Sequence, residues 1–423
     1  MSVPQTIPEL LTVGASDAVA IGTPDAGQPL TYAGLRANVS RTIEQMRAAG
    51  ISRNDRVAVV LPNGPTMAVA FLSIAAGASA CPLNPGYREE EFHFFLSDLS
   101  AKALIVEAGS QSPAIKVARE RGIRVLELTG SSEGSGAFSF ATDTASQPAA
   151  ALPSVDPVRP EDVALILHTS GTTSRPKVVL LTQRNVCASA ANIVDTLRLT
   201  PGDRSLNIMP LFHIHGLIAG LLAPMAAGSA VYCAPGFNPI HFFLWMAACR
   251  PTWFTAVPAM HQMILARAAH NQQIIKDNPL RFIRSSSAAM PRKVIAELEA
   301  AFDAPLIESY GMTEASHQMA SNPLPPEPRK PGTVGKAAGP EVAIMDAAGS
   351  LLPADQIGEI VIRGSNVTSG YENNAKANAE AFTNGWFRTG DQGVMDADGY
   401  IAITGRLKEI INKGGDKVSP REV

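Results

Sequence analysis

Apolar positions along the first hundred residues alternate between two periods. Beyond Thr31, the residues Leu35, Val39, Ile43 and Met46 recur at three- and four-residue steps, which places them on one face of a helix. Thr31 offers a capping oxygen at its start and Gly50 a stop at its end. Arg56–Leu61 is a short continuous apolar run and predicts a strand. The longest apolar stretch, Met67–Ala80, lies between Pro65 and Pro82 and predicts a helix buried on all sides. It is shorter than the roughly 20 residues a bilayer-spanning helix needs. Pro82-Leu83-Asn84-Pro85 marks a turn, a helix follows near Glu89–Ser97, and Ala103–Val106 is another strand. Alternating helices and strands predict a sheet flanked by helices.

Between Gly130 and Pro160 the periodicity stops. Ser, Gly, Ala and Pro dominate, and the stretch reads as a surface linker. A second α/β run extends from Val163 to about Ala320. Pro323–Pro331 is too proline-rich for a helix. After it come short strands at Val342–Met345, Glu359–Arg363, Gly393–Met395 and Tyr400–Thr404, with turns such as Asp398-Gly399 between them. The pattern therefore predicts two α/β subdomains, about 1–150 and 151–325, and a smaller β-rich one at 326–405. There is no internal repeat.

Composition narrows the class. The 423 residues are 46% hydrophobic and 17% charged, which fits a large buried interior divided among subdomains. A net charge of −3 gives no electrostatic case for nucleic acid or an anionic membrane. Cys81, Cys187, Cys233 and Cys249 form no C-x-x-C pair, so neither a zinc site nor a redox motif is suggested, and a reducing cytoplasm is expected. Met1–Pro8 carries no signal-peptide pattern. Oligomeric state is not legible.

The strongest chemical signal is Thr169-Ser170-Gly171-Thr172-Thr173-Ser174-Arg175-Pro176-Lys177. It follows the apolar strand Val163–His168 and precedes a second strand, Val178–Leu181; Thr182 then opens a helix through Val186, Ala190, Ile193 and Leu197. Hydroxyl donors, a glycine that lets backbone N–H groups approach, and the Lys177 charge suit a phosphate cradle. It is not a P-loop, because G-x-x-x-x-G-K-[ST] is absent and a strand follows. On composition alone a hydroxyl-rich hairpin tip remains an equal reading.

T-S-G-T-T-x-x-P-K resembles the signature loop of the acyl-adenylate-forming enzymes, which include acyl-CoA synthetases. Further motifs of that family follow in order: Pro210-Leu211-Phe212-His213, Tyr310-Gly311-Met312-Thr313-Glu314, Trp386-Phe387-Arg388-Thr389-Gly390-Asp391 and Gly405-Arg406-Leu407-Lys408-Glu409. The resemblance implies ATP, Mg²⁺ and coenzyme A as reactants and cofactors. It implies phosphate binding by Thr169, Ser170, Gly171, Thr172, Thr173 and Lys177, with Thr313 on the α-phosphate and Glu314 as the Mg²⁺ ligand. Ala288, Ala289 and Glu308, Ser309, Tyr310 and Gly311 would enclose adenine. Asp391 would accept from the ribose hydroxyls, with Arg406 nearby. Thr172, Lys177, His213, Thr313 and Glu314 are the implied catalytic set.

The same resemblance implies that residues 1–408 form the large N-terminal AMP-binding domain, built of two helix-flanked sheets and a small β-barrel-like subdomain. Lys408 would be the hinge to a mobile α+β C-terminal domain. Only 409–423 match that domain, with Lys413, Gly414, Gly415 and Lys417 in its opening turn. The expectation is a truncated chain that binds nucleotide but activates acid poorly; a peroxisomal address is not readable. Val178, where glycine is common, is a smaller departure.

Within the family the details are most similar to oxalate–CoA ligases: Ser174-Arg175 in the loop, Gln183, His213-Ile214-His215-Gly216, Arg281–Ser285, and Met312–His317 running on to Ser321–Pro325. His213, His215, Arg284, Ser287 and His317 are the candidate substrate residues. A polar pocket suits a small dicarboxylate, whose second charge must be held by donors or cations. Malonate, 4-coumarate-like aryl acids and fatty acids are the alternatives in the same reaction class. A non-catalytic nucleotide-binding module is the alternative in another.

Overall fold

The computed structural model describes residues 3–25, 27–141, 157–169 and 176–407, and the backbone of 411–413 and 416–418. Local signals act where the sequence puts them. Thr31 caps the helix Tyr32–Ala48 by accepting from Gly34 N at 3.2 Å. Thr182 caps Gln183–Leu197 through Asn185 N at 3.1 Å, and the Asn185 side chain closes a reciprocal capping box.

Two mixed sheets form the body. In the first the strand order is Phe138–Phe140, Arg124–Gly130, Ala103–Glu107, Arg56–Val60, Ser79–Pro82, Val163–His168 and Val178–Thr182, parallel within and antiparallel at both edges. In the second it is Lys336–Ala337, His317–Ser321, Leu306–Met312, Phe282–Ser285, Trp253–Ala256, Arg204–Asn207, Ala230–Cys233, Val19–Gly22 and Leu30–Thr31. The third unit is an antiparallel sheet of Glu341–Met345, Ile357–Arg363, Trp386–Met395 and Phe382–Thr383, with Ile401–Arg406 along Trp386–Met395. The fold is thus α/β, with two helix-flanked sheets and a small antiparallel unit.

The central strands are apolar throughout because both of their faces are covered. Val57 and Val59 join the main core, while Ala58 and Val60 join a second cluster with Phe92, Phe95 and Leu104. In the other sheet Trp253 and Phe282 face the main core, and Phe254 and Ile283 face a cluster with Phe242 and Phe302. By the period of two, Thr255 and Arg284 share the face of Trp253 and Phe282. Gln183 is wholly buried; it accepts from Ile7 N at 2.9 Å and donates to Ala75 O at 2.6 Å, tying the N-terminal helix to the core.

Three expectations need correction. The apolar run Met67–Ala80 is not one helix: Pro65–Ala75 is helical and Ser79–Pro82 is a strand. Gly77 lies between them, where a Cβ would come within 2.7 Å of Ile43, and Pro82 has no N–H to extend a helix. The linker Gly130–Pro160 contains the edge strand Phe138–Phe140, whose two aromatic rings are buried in period two; residues 142–156 lie outside the described residues. Finally, the sheets do not follow a division near residue 150. Val163–His168 and Val178–Thr182 complete the first sheet, and Val19–Gly22 and Leu30–Thr31 complete the second. Strand pairing is non-local, so chain order does not say which sheet a strand joins.

Candidate active site

The C-terminal ends of the parallel strands Phe282–Ser285 and Leu306–Met312 open onto a cavity of ≈ 420 Å³, closed on its other side by Asp391, Ile403, Gly405 and Arg406. Ligands of open α/β sheets bind outside the carboxyl ends of the strands. Ala288, Ala289, Glu308, Ser309, Tyr310, Gly311, Asp391 and Arg406 all line it. Gly332, Thr333 and Val334 line it too and were missed; the Pro331-Gly332 turn signal stood in the sequence but carried no chemistry of its own.

Asp391 is 8% exposed and held on both oxygens. Tyr310 donates its hydroxyl to Oδ2, and Arg406 Nε donates to Oδ1 at 3.1 Å. Each oxygen keeps a further lone pair with which to accept. Burial raises the Tyr310 phenol well above its ordinary range, with Asp391 adding to the effect. Burial also pushes Glu308 up to about 7, although Gly332 N donates to it at 3.0 Å.

Glu314 sits in the turn Thr313–Ala315 and is 6% exposed. Tyr371 donates to its Oε1 at 2.7 Å, and Thr368 N donates to its backbone carbonyl at 2.7 Å. The Lys177 ammonium stands 4.2 Å from the Tyr371 ring centroid. Tyr371 thus links two residues from separate motifs, and no pattern in the sequence singled it out. Thr169 and Lys177, at either end of the hydroxyl-rich segment, are joined by Thr169 N to Lys177 O at 3.0 Å and Lys177 N to Thr169 Oγ1 at 3.3 Å. Ser170, Gly171, Thr172 and Thr173 lie outside the described residues, as do Lys408, Gly414 and Gly415.

Among the described residues no group of three His, Cys, Asp or Glu gathers as a metal cage. A single buried carboxylate with one oxygen held by Tyr371 fits a Mg²⁺ that takes its other ligands from phosphate and water.

Beside the cavity lies a buried polar cluster. His215, Arg284 and Gln318 are fully buried and His317 nearly so; only Ser287 reaches the cavity wall. Arg284, a candidate substrate residue, is wholly buried against the two histidines and does not itself line the cavity. His213 is exposed and does not line the cavity. The His215 and His317 rings stack at 4.7 Å. Burial, and then the Arg284 charge, hold both imidazoles well below their ordinary pKa, so both are neutral. His215 opens a π-helix, His215–Leu222, a wide form frequent at functional sites. Gly216 permits it, since a Cβ there would stand 2.2 Å from Pro210 O. Ser287 (φ 74°) and His317 (φ 94°) both adopt left-handed backbone, which non-glycine residues hold only where surroundings enforce it.

A nucleotide-sized cavity with the buried Asp391 in its wall, and the buried Glu314 linked through Tyr371 to Lys177, fit an adenylate-forming ligase. The chain belongs to the AMP-binding enzyme family, whose pattern matches residues 13–372. It is an AMP-forming acid–CoA ligase: it joins a carboxylic acid to a thiol through an acyl adenylate, in a family that uses ATP, Mg²⁺ and coenzyme A. It is 45% identical to an oxalate–CoA ligase of Arabidopsis thaliana, over 93% of this chain and 77% of that protein. It is 41% identical to an oxalate–CoA ligase of Saccharomyces cerevisiae, over 97% of this chain and 80% of that one. Its structure superposes on ATP-bound MatB from Rhodopseudomonas palustris with a TM-score of 0.86 at 30% identity, over 99% of this chain and 82% of the other. No helix among the described residues is long and apolar enough to cross a membrane.

Proposed function

We propose that the acid activated here is oxalate. The observation that carries this reading is Arg284: a guanidinium fully buried, with no carboxylate paired to it among the described residues, beside a cavity wall that offers Ser287. A buried cation without a counter-ion is costly, and a short doubly anionic acid bound nearby offsets that cost. Aryl and fatty acids need an apolar surface, which the Ser287, His215 and His317 side does not provide. The two oxalate–CoA ligases among the relatives support the same reading.

In this reading the nucleotide lies in the cavity with its ribose on Asp391 and adenine against Ala288, Ala289 and Tyr310. Thr313 and Lys177 hold phosphate oxygens, and Glu314 holds Mg²⁺, which neutralises phosphate charge. One oxalate carboxylate attacks the α-phosphorus in line and pyrophosphate leaves; the thiol then attacks the acyl carbon and AMP leaves. What these residues supply is orientation and charge compensation for one anion attacking another.

ATP–pyrophosphate exchange with oxalate, malonate, acetate, 4-coumarate and a fatty acid tests it, with calorimetric binding of the same acids beside AMP. Oxalate is expected to lead both. An aryl or fatty acid leading either assay overturns the reading.

A further inference from the structure

Arg284 does not reach the cavity, yet its hydrogen bonds run to it. Nη1 lies 3.1 Å from His317 Nε2, 3.3 Å from Thr255 Oγ1 and 3.4 Å from His215 Nε2. Nη2 donates to Gln318 Oε1 at 3.3 Å, and the Gln318 amide nitrogen donates onward to Asn192 O, Thr196 Oγ1 and Ala338 O. Thr255 Oγ1 lies 2.6 Å from His215 Nε2, and His215 Nδ1 lies 3.1 Å from Ser287 Oγ.

A guanidinium has only N–H donors, so every partner must accept from it. Nη1 carries two hydrogens. The two shorter contacts take them, to His317 Nε2 and Thr255 Oγ1. The Thr255 hydroxyl hydrogen then turns to the remaining acceptor, His215 Nε2. Both imidazoles are neutral, so with Nε2 accepting, each carries its proton on Nδ1. His215 Nδ1–H donates to Ser287 Oγ, whose own hydrogen is left for the cavity. His317 Nδ1 lies behind the cavity wall at Gly311, 3.2 Å from where a Cβ there would stand.

We propose that Arg284 is a positioning residue that sets the direction of a hydrogen-bond relay, Arg284 to Thr255 to His215 to Ser287, with a second branch to His317, and so leaves the Ser287 hydroxyl as a donor toward a small anionic acid. This deepens the oxalate reading and rests on it for the identity of the acid. The direction of the relay is independent of that identity. Burial brings the Arg284 guanidinium down to about 9, still cationic at neutral pH, so the source of the polarity does not reverse. Ser287 is the relay member on the cavity wall; Thr255 and His215 act through it.

The test is the protonation pattern of the ring nitrogens, read by ¹⁵N NMR of histidine-labelled protein without ligand. His261 is the internal reference. Its Nε2 lies 3.1 Å from Arg284 O and must donate, so it carries the opposite tautomer. His215 and His317 are expected as Nδ1–H, and His261 as Nε2–H. Thr255→Val keeps shape and removes the link in one branch only. It is expected to change the His215 signature, leave His317 as it was, and weaken oxalate binding about tenfold, with AMP affinity held within about twofold. Arg284→Met is expected to change both histidines. Nε2–H at His215 or His317 in the unaltered protein overturns the relay. If the tautomers are as stated and oxalate does not bind, the relay stands and the substrate reading falls.

Discussion

The Tyr371 hydroxyl holds Glu314 Oε1 at 2.7 Å while its ring carries the Lys177 ammonium 4.2 Å from its centroid. One side chain therefore fixes the carboxylate expected to hold Mg²⁺ and the lysine expected to hold phosphate. Tyr371→Phe keeps the ring and removes only the donor. The Mg²⁺ concentration giving half-maximal ATP–pyrophosphate exchange is expected to rise about tenfold, the worth of one hydrogen bond to a charged group. Lys177 keeps its perch, so ATP affinity without metal should be unchanged. An unaltered Mg²⁺ response would remove Tyr371 from the site's workings.

Among the described residues Asp391 is the only acidic side chain in the cavity wall besides Glu308, and both of its oxygens already accept one hydrogen bond. Asp391→Ala is expected to cost AMP binding roughly a hundredfold, since two charge-assisted bonds to ribose would be lost. Calorimetry with AMP measures it. A loss of fivefold or less would place the ribose elsewhere.

Glu308, raised to about 7 by burial, gives the protein a pH signature. Between the ordinary carboxylate range and about 7 the unfolded chain has lost this proton and the native state keeps it, so stability from Glu308 falls as pH rises. Buried His261, lowered to about 4, works the other way: below about 6.5 the unfolded chain binds a proton the native state refuses, so stability rises with pH there. His215 and His317 add to that rise. Thermal stability is expected to climb from pH 4.5 to about 6.5, and Glu308→Gln should steepen the climb, because its carbonyl can still accept from Gly332 N. A melting series in the two proteins checks it; parallel curves would mean Glu308 titrates normally.

Gly311 has no room for a side chain: a Cβ there would stand 1.8 Å from His317 O, a backbone atom. Gly311→Ala is expected to destabilise by on the order of 3 kcal/mol through overpacking. It should also weaken AMP and oxalate binding together, because it displaces the strand pair Leu306–Met312 and His317–Ser321, which carries both the cavity-lining Gly311 and the relay's His317. Denaturant midpoints and the two affinities decide it. Loss of only one affinity would mean the strand pair is not shared.

Much was legible along the chain because it is local. Helix caps at Thr31 and Thr182, period-two burial in the strands, and the ordered motifs that place Tyr310, Glu314, Asp391 and Arg406 depend on neighbours within a few residues. The unbroken apolar runs were the hardest to read. Met67–Ala80 shows no period whether helical or extended, because every face of it is covered, and only packing against Ile43 at Gly77 splits it into a helix and a strand. Which sheet Val163–His168 or Val19–Gly22 joins is likewise a matter of long-range pairing.

The sequence by itself determined the class of chemistry, since phosphate loop, carboxylates and glycine turns must have their side-chain types at fixed spacings whatever surrounds them. Tertiary structure decided the buried polar cluster. The sequence marks His215, Arg284, Ser287 and His317 one by one, but they and Thr255 come from different segments. Their meaning lies in who donates to whom, and that is set by burial: in a dry interior an arginine that can only donate dictates the proton position on each neighbour, which no linear spacing encodes.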